Sequence, residues 1–213
     1  MVTIDGSSFT QACNSFFNAS NYLHDGWSLK KLCFYRFPVL EKKFIYKKEK
    51  IIKDKVALIK SKETIKKDII KFSDGEISDF DENFSGEIQN GEFFTIQCQV
   101  FYSEAYSNPV LYFQPCNLSG EMLTLEECWN LTDSYQKYFN NKRLNWSFIS
   151  QTMHPVLKYP LYQLHPCHTA DFMEPINKST NYVMSWLSIC LLALGLDFKP
   201  ELYELFFKQN INK

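Results

Sequence analysis

The stretch from Phe93 to Tyr102 (FFTIQCQVFY) constrains the fold of this chain more than any other. Phe94, Ile96, Cys98, Val100 and Tyr102 alternate with Phe93, Thr95, Gln97, Gln99 and Phe101, the period-two pattern of a strand with one apolar face. Such a face must be covered by another layer. A second short run, Val110 to Phe113, begins just after Asn108-Pro109. That connection is too short for a parallel crossover, so the two strands are predicted to form an antiparallel hairpin.

The covering layer is legible at both ends of the chain. Phe9, Cys13, Phe16, Phe17 and Leu23 recur at helical spacing behind Ser7 or Ser8 as a cap, predicting a helix over 7–23. Near the other end, Leu187 to Leu196 (LSICLLALGL) is about half the length a membrane span needs, so a buried core helix is predicted over about 181–194. Thr124 stands three residues before Glu127 as a capping box, followed by Leu125, Cys128, Trp129, Leu131 and Tyr135, which predicts a helix over about 124–139. Residues 27–37 read as a strand ending at Pro38, and Leu161 to Leu164 as a short strand after a Pro-rich irregular passage. The predicted class is α+β, an antiparallel sheet of about four strands flanked by helices. At 213 residues and 45% hydrophobic content, one domain over 1–213 can bury its core without metal or disulfide staples.

Charge is balanced overall, at −1, and segregated locally. Residues 41–71 carry twelve Lys against five acids and suggest one or two strands running into a helical turn. Residues 72–92 carry seven acids and neither Lys nor Arg, with Gly75, Gly86 and Gly91 between them. We read a charged insertion or loop at about 60–92. Solvated surface and a partner-docking patch are both compatible with these blocks. The near-zero net charge removes the broad basic footprint of a nucleic-acid binder.

The opening MVTIDGSSFTQACNSFF has no basic segment leading into an apolar one, so no secretory signal and a cytoplasmic location are expected. Seven Cys without a CxxC pair argue against a disulfide framework and against a zinc ribbon, and no metal or cofactor is expected. Three of the four His, at 154, 165 and 168, fall close around Cys167. A thiol flanked by imidazoles is the strongest nucleophile candidate in the chain, because the thiolate is the reactive species and a neighbouring cation or helix N-terminus favours it. Thr169 and Asp171 could open a helix that turns backbone N–H groups toward the sulfur and an acyl oxygen on it. The residues alone leave four readings open: a buried structural thiol, a zinc site from His154, His165, Cys167 and His168, a hydrolase with His154 or His168 as base, and a carrier of thioesters. Cys116, in Gln114-Pro115-Cys116, lacks imidazole neighbours and reads as structural.

Five ordered blocks add a resemblance. These are Tyr102-Ser103-x-x-Tyr106-x-x-Pro109-Val110-Leu111-Tyr112-Phe113, Gly120-x-x-Leu123-Thr124-Leu125-x-x-x-Trp129, His154-Pro155-x-Leu157, His165-Pro166-Cys167 and Asn181-Tyr182-x-x-Ser185-Trp186-Leu187-Ser188-Ile189. Over about 93–196 the chain resembles the autophagy E2-like conjugating enzymes, whose active cysteine sits in a His-Pro-Cys motif. The resemblance implies an E2-like fold with Cys167 as the nucleophile. It implies that Cys167 takes the C-terminal glycine of the ubiquitin-like autophagy-related protein 12 from the E1-like autophagy-related protein 7. Delivery is then to a lysine of autophagy-related protein 5, in support of autophagosome formation. A sister branch, autophagy-related protein 3, conjugates to a lipid, and an E2-like binding module without turnover is a further alternative. Ordinary ubiquitin-conjugating enzymes use the Asn of a His-Pro-Asn motif, and this chain has His154-Pro155-Val156 there. The vacant donor role falls to His165, Thr169, Asn181 or backbone N–H groups, while His154 reads as a residue holding its loop.

Overall fold

The apolar alternation of residues 93–102 becomes the third strand of a six-stranded sheet. The structure, a computed structural model, describes residues 3–47, 93–128, 149–169, 173–176 and 181–211. Its elements are α1 (Gly6–Tyr22), β1 (Ser28–Lys30), β2 (Val39–Lys47), β3 (Phe93–Ser103), β4 (Asn108–Asn117), β5 (Ile149–Met153), β6 (Pro160–Leu164), α2 (Tyr182–Ala193) and α3 (Glu201–Ile211). The strands lie in the order β1-β2-β3-β4-β6-β5, each neighbouring pair antiparallel. The class is the expected α+β, with six strands among the described residues where about four were expected.

One face of the sheet is packed by helices. Ile96, Cys98, Val100 and Tyr102 of β3 join Leu40 of β2, Leu111 and Phe113 of β4, and Phe9, Cys13 and Phe16 of α1 in one core. Helix α2 is largely apolar, and Trp186, Leu187 and Leu191 are enclosed in that core, as expected of a helix with most of its surface buried. Each such side chain contributes about 2 kcal/mol of transfer free energy.

Local chemistry explains where the elements begin. Helix α1 is capped by Asp5, whose carboxylate accepts the N–H groups of Ser7 and Ser8, each at 2.9 Å. The expected caps, Ser7 and Ser8, instead donate their hydroxyls to Asp5. A Cβ at Gly6 would collide with the Phe37 ring, so the start of α1 requires glycine there. Thr124 and Glu127 form the expected capping box, with the Thr124 N–H donating to the Glu127 carboxylate at 2.7 Å and the Glu127 N–H to Thr124 Oγ1 at 3.3 Å. Helix follows at 125–128, while the remainder of the helix expected to 139 lies outside the described residues.

Two expectations are corrected. The strand predicted over 27–37 is only Ser28–Lys30, because the chain then breaks into a turn in which Phe34 takes φ 67° with its ring fully exposed. A bulky residue in the left-handed region costs about 1 kcal/mol. The passage read as irregular before Leu161 contains the edge strand β5. Helix α3 was not anticipated; it places Leu202 and Phe206 in the core and Glu201 and Glu204 in its first turn, where they complement the dipole. Of residues 41–71, the part up to Lys47 is β2. The rest of the basic block and the acidic block, with the insertion expected at about 60–92, lie outside the described residues.

Candidate active site around Cys167

Strand β6 ends at Leu164, and the chain turns into a single 3-10 turn, Pro166–His168. Pro166 has no N–H to lose and a ring that presets a helical φ, so it suits the first position of such a turn. The residue before a proline is held extended, and His165 has φ −66° and ψ 129°. The change from extended to helical backbone within two residues folds the His165 ring back over Cys167. Its Nδ1 accepts the Cys167 N–H at 3.2 Å, and its Nε2 lies 3.6 Å from Cys167 Sγ.

Exposure separates this thiol from most others. Cys167 and Cys33 are exposed, Cys116 is half-buried, and Cys13, Cys98, Cys128 and Cys190 are buried. Burial pushes those four thiols up, Cys128 to about 12, which removes them as nucleophiles at neutral pH. Burial also raises Cys116.

The other expected site residues are occupied elsewhere. Thr169 is buried, and its N–H donates to the Pro166 carbonyl to close the turn. The Cys167 N–H is taken by His165, so the expected set of free N–H groups aimed at the sulfur is not formed by Cys167 or Thr169. Asp171 and the His168 side chain lie outside the described residues. Asn181 is the cap of α2: its Oδ1 accepts the Met184 N–H at 2.9 Å and its Nδ2 donates to the Ala12 carbonyl at 2.9 Å. His154 is fully enclosed. Its Nδ1 accepts the N–H groups of Val156 at 3.1 Å and Leu157 at 3.0 Å, and its ring lies against Phe101 and Tyr159. Burial lowers its basicity below the ordinary imidazole range. It holds the turn after β5.

This geometry coincides with a family signature. Residues 8–199 match the autophagocytosis-associated proteins, active-site domain. The chain belongs to this family. It is 40% identical over 107 residues to the ubiquitin-like-conjugating enzyme ATG10 of Homo sapiens, covering 46% of this chain and 47% of that protein. It is 31% identical over 113 residues to the Arabidopsis thaliana enzyme of the same name, covering 48% and 50%. For the Dictyostelium discoideum enzyme, also ATG10, identity is 33% over 109 residues, covering 44% and 47%. The chain spans about half the length of the curated relatives it matches.

Within the family's active-site domain, the structure adds one residue to which no sequence expectation attached a role. Tyr106, in the β3–β4 turn, meets the His165 ring edge-on with centroids 5.8 Å apart. Its place in the Ser103-x-x-Tyr106 block was the available signal. At the same end of the sheet, Tyr35, Phe37, Phe101, Tyr112 and Pro155 line a groove of about 420 Å³ with Arg36 and Glu104 beside it. Among the described residues, no three His, Cys, Asp or Glu side chains are grouped to hold a metal, and no helix is long and apolar enough to cross a membrane.

Proposed function

We propose that this chain is an E2-like transferase of the autophagy conjugation system, working in the cytoplasm as a single domain. Cys167 accepts the C-terminal glycine of autophagy-related protein 12 from the E1-like autophagy-related protein 7 and holds it as a thioester. It then passes the acyl group to a lysine of autophagy-related protein 5. The observation that carries this reading is Cys167 itself: an exposed thiol at a strand end with an imidazole nitrogen at its sulfur. The names of the relatives support the same reaction class.

The chemistry needs little more than placement. In the first step the Cys167 sulfur attacks the E1 thioester and the E1 sulfur leaves. In the second, a neutral lysine attacks the Cys167 thioester and that sulfur leaves. Docking the acceptor makes the second step local, and good orientation corresponds to an effective molarity of about 10⁵ M or more. The groove of about 420 Å³ at the Cys167 end of the sheet gives a partner a surface of aromatic rings with Arg36 and Glu104 among them.

The test incubates the protein with the E1-like enzyme, ATP and the modifier, and runs gels with and without reductant. Wild type should form a reductant-sensitive adduct, and Cys167→Ser should form none or a reductant-resistant ester. A wild type that stays unmodified sinks the carrier reading and leaves a binding module. Transfer to a lipid amine instead of the lysine acceptor would assign the chain to the sister activity.

A further inference from the structure

Several groups that could serve the negative oxygen of the acyl-transfer step are engaged elsewhere. The Asn of His-Pro-Asn is absent, Asn181 is spent as a cap, and the N–H groups of Cys167 and Thr169 are already used. What stands at the sulfur is His165. Its Nδ1 accepts the Cys167 N–H at 3.2 Å, so that nitrogen must present a lone pair. In a neutral imidazole the proton then sits on the other nitrogen. That nitrogen, Nε2, is the one 3.6 Å from Sγ. The backbone of the nucleophile therefore selects the tautomer that points an N–H at the nucleophile's own reacting atoms.

Resting on the carrier reading above, we infer that His165 is a catalytic residue: its Nε2–H supports the oxyanion formed on the Cys167 thioester, and Tyr106 is a positioning residue that keeps the ring in place. The acyl carbon is bonded to Sγ and its oxygen lies one bond further out, within the sweep of a donor already at hydrogen-bond range of the sulfur. When the lysine nitrogen attacks, a C–N bond forms and the carbonyl π pair moves onto oxygen, which accepts from Nε2–H. Collapse restores the carbonyl and breaks the C–S bond, and the pair leaves on Sγ, where the same N–H receives it. The proton of the attacking ammonium passes to solvent. One donor thus serves both places where negative charge appears. A donor of this kind acts without taking up or giving away its proton, so His165 is not asked to be a base.

The ring is held from the far side. Tyr106 abuts it edge-on at 5.8 Å, and the turn carrying Tyr106 is itself tied down. The buried Asn108 donates its amide to the Tyr106 carbonyl at 3.1 Å, Tyr182 of α2 donates its hydroxyl to Asn108 Oδ1 at 2.7 Å, and the Ile4 N–H donates to the Ser107 carbonyl at 3.0 Å. The core thus fixes the imidazole through a short relay from α2 to the hairpin tip.

Two substitutions split the ring's two jobs. Asn places an oxygen where Nδ1 stood and keeps the turn capped, without a donor at the sulfur. Gln reaches the Nε2 position with an amide donor and gives up the cap. Both are made in the full chain with Cys33→Ser and Cys116→Ser, so that Cys167 is the accessible thiol. Cys167 is charged without any E1, by exchange with a small-thiol thioester of N-acetylglycine, and loss of the acyl group to free lysine is followed by intact mass. His165→Asn should be slower in discharge by about 100-fold, the usual loss for one oxyanion donor, with its melting temperature unchanged. His165→Gln should discharge within about tenfold of the parent, even if less stable, and Tyr106→Ala, which removes the ring packed against His165, should slow discharge while leaving the Cys167 charging step in place. Asn discharging at the parental rate, or Gln as slow as Asn, overturns the assignment. Because charging bypasses the E1, failure of the partner assignment leaves this result intact, and failure of this assignment leaves the E1 adduct intact.

Discussion

Replacing Asn181 by Ala should cost stability and leave chemistry alone. Two bonds disappear: the cap from Met184 N–H to Oδ1 and the tie from Nδ2 to the Ala12 carbonyl. Loss of an Asn cap costs about 1 kcal/mol, and loss of a hydrogen bond at a buried site about 1 to 1.5 kcal/mol more. The sum is about 2 to 2.5 kcal/mol. For a chain of this length each kcal/mol moves the melting temperature by about 2 to 4 °C, so calorimetry should show a drop of about 4 to 10 °C. Asn181→Ser keeps a capping oxygen and loses the tie, and should fall between the two. Thioester discharge per folded molecule should be unchanged in both, because neither group of Asn181 is free to reach the acyl oxygen. An unshifted melting temperature, or a discharge rate down by a factor of ten with the fold intact, would refute this reasoning and return Asn181 to the catalytic step.

Three further expectations can be checked with simple measurements. His154 is held neutral by burial, so its folded pKa lies below the ordinary 6.5; the unfolded chain binds the proton first, and stability should be full above that pH and fall as pH drops below it. The slope stays below the single-proton limit of about 1.4 kcal/mol per pH unit, and urea melts of His154→Asn should lack it. Iodoacetamide under native conditions should label Cys167 and Cys33 fast and Cys116 slowly, and reach Cys13, Cys98, Cys128 and Cys190 only in denaturant, as mass spectrometry can count. Leu187→Ala, at a fully enclosed position on α2, should lose about 3 kcal/mol in denaturant titrations.

What the sequence disclosed follows from how local each determinant is. The alternation of 93–102 and the Thr124–Glu127 box act within a few residues, and each appears in the structure where the pattern puts it. The β1 strand was overread because Cys33, Phe34 and Tyr35 have strand-forming side chains, yet the backbone there turns through a left-handed Phe34. Strand β5 was missed because Ser150, Gln151 and Thr152 make a weak pattern, and its pairing with β6 supplies the order. Helix α3 could have been read from Leu202 and Phe206, one helical turn apart after Pro200. At the site, Cys167 stood out because imidazoles crowd it in sequence. The division of labour did not, since His154, His165 and Asn181 differ only in what tertiary packing leaves each free to touch.

The pairing of Lys47 with Phe93 sets the two roots of the segment 48–92 side by side, at the opposite end of β3 from the hairpin tip next to Cys167. A strand of eleven residues separates those ends by roughly 35 Å. The β2–β3 pairing therefore fixes where the connection leaves and returns, and loop closure makes added length cheap, at about 0.6 kcal/mol per doubling. The corresponding engineered chain, with Asn-Gly joining Lys47 directly to Phe93, should keep the β2–β3 register and an unaltered rate of thioester discharge to free lysine.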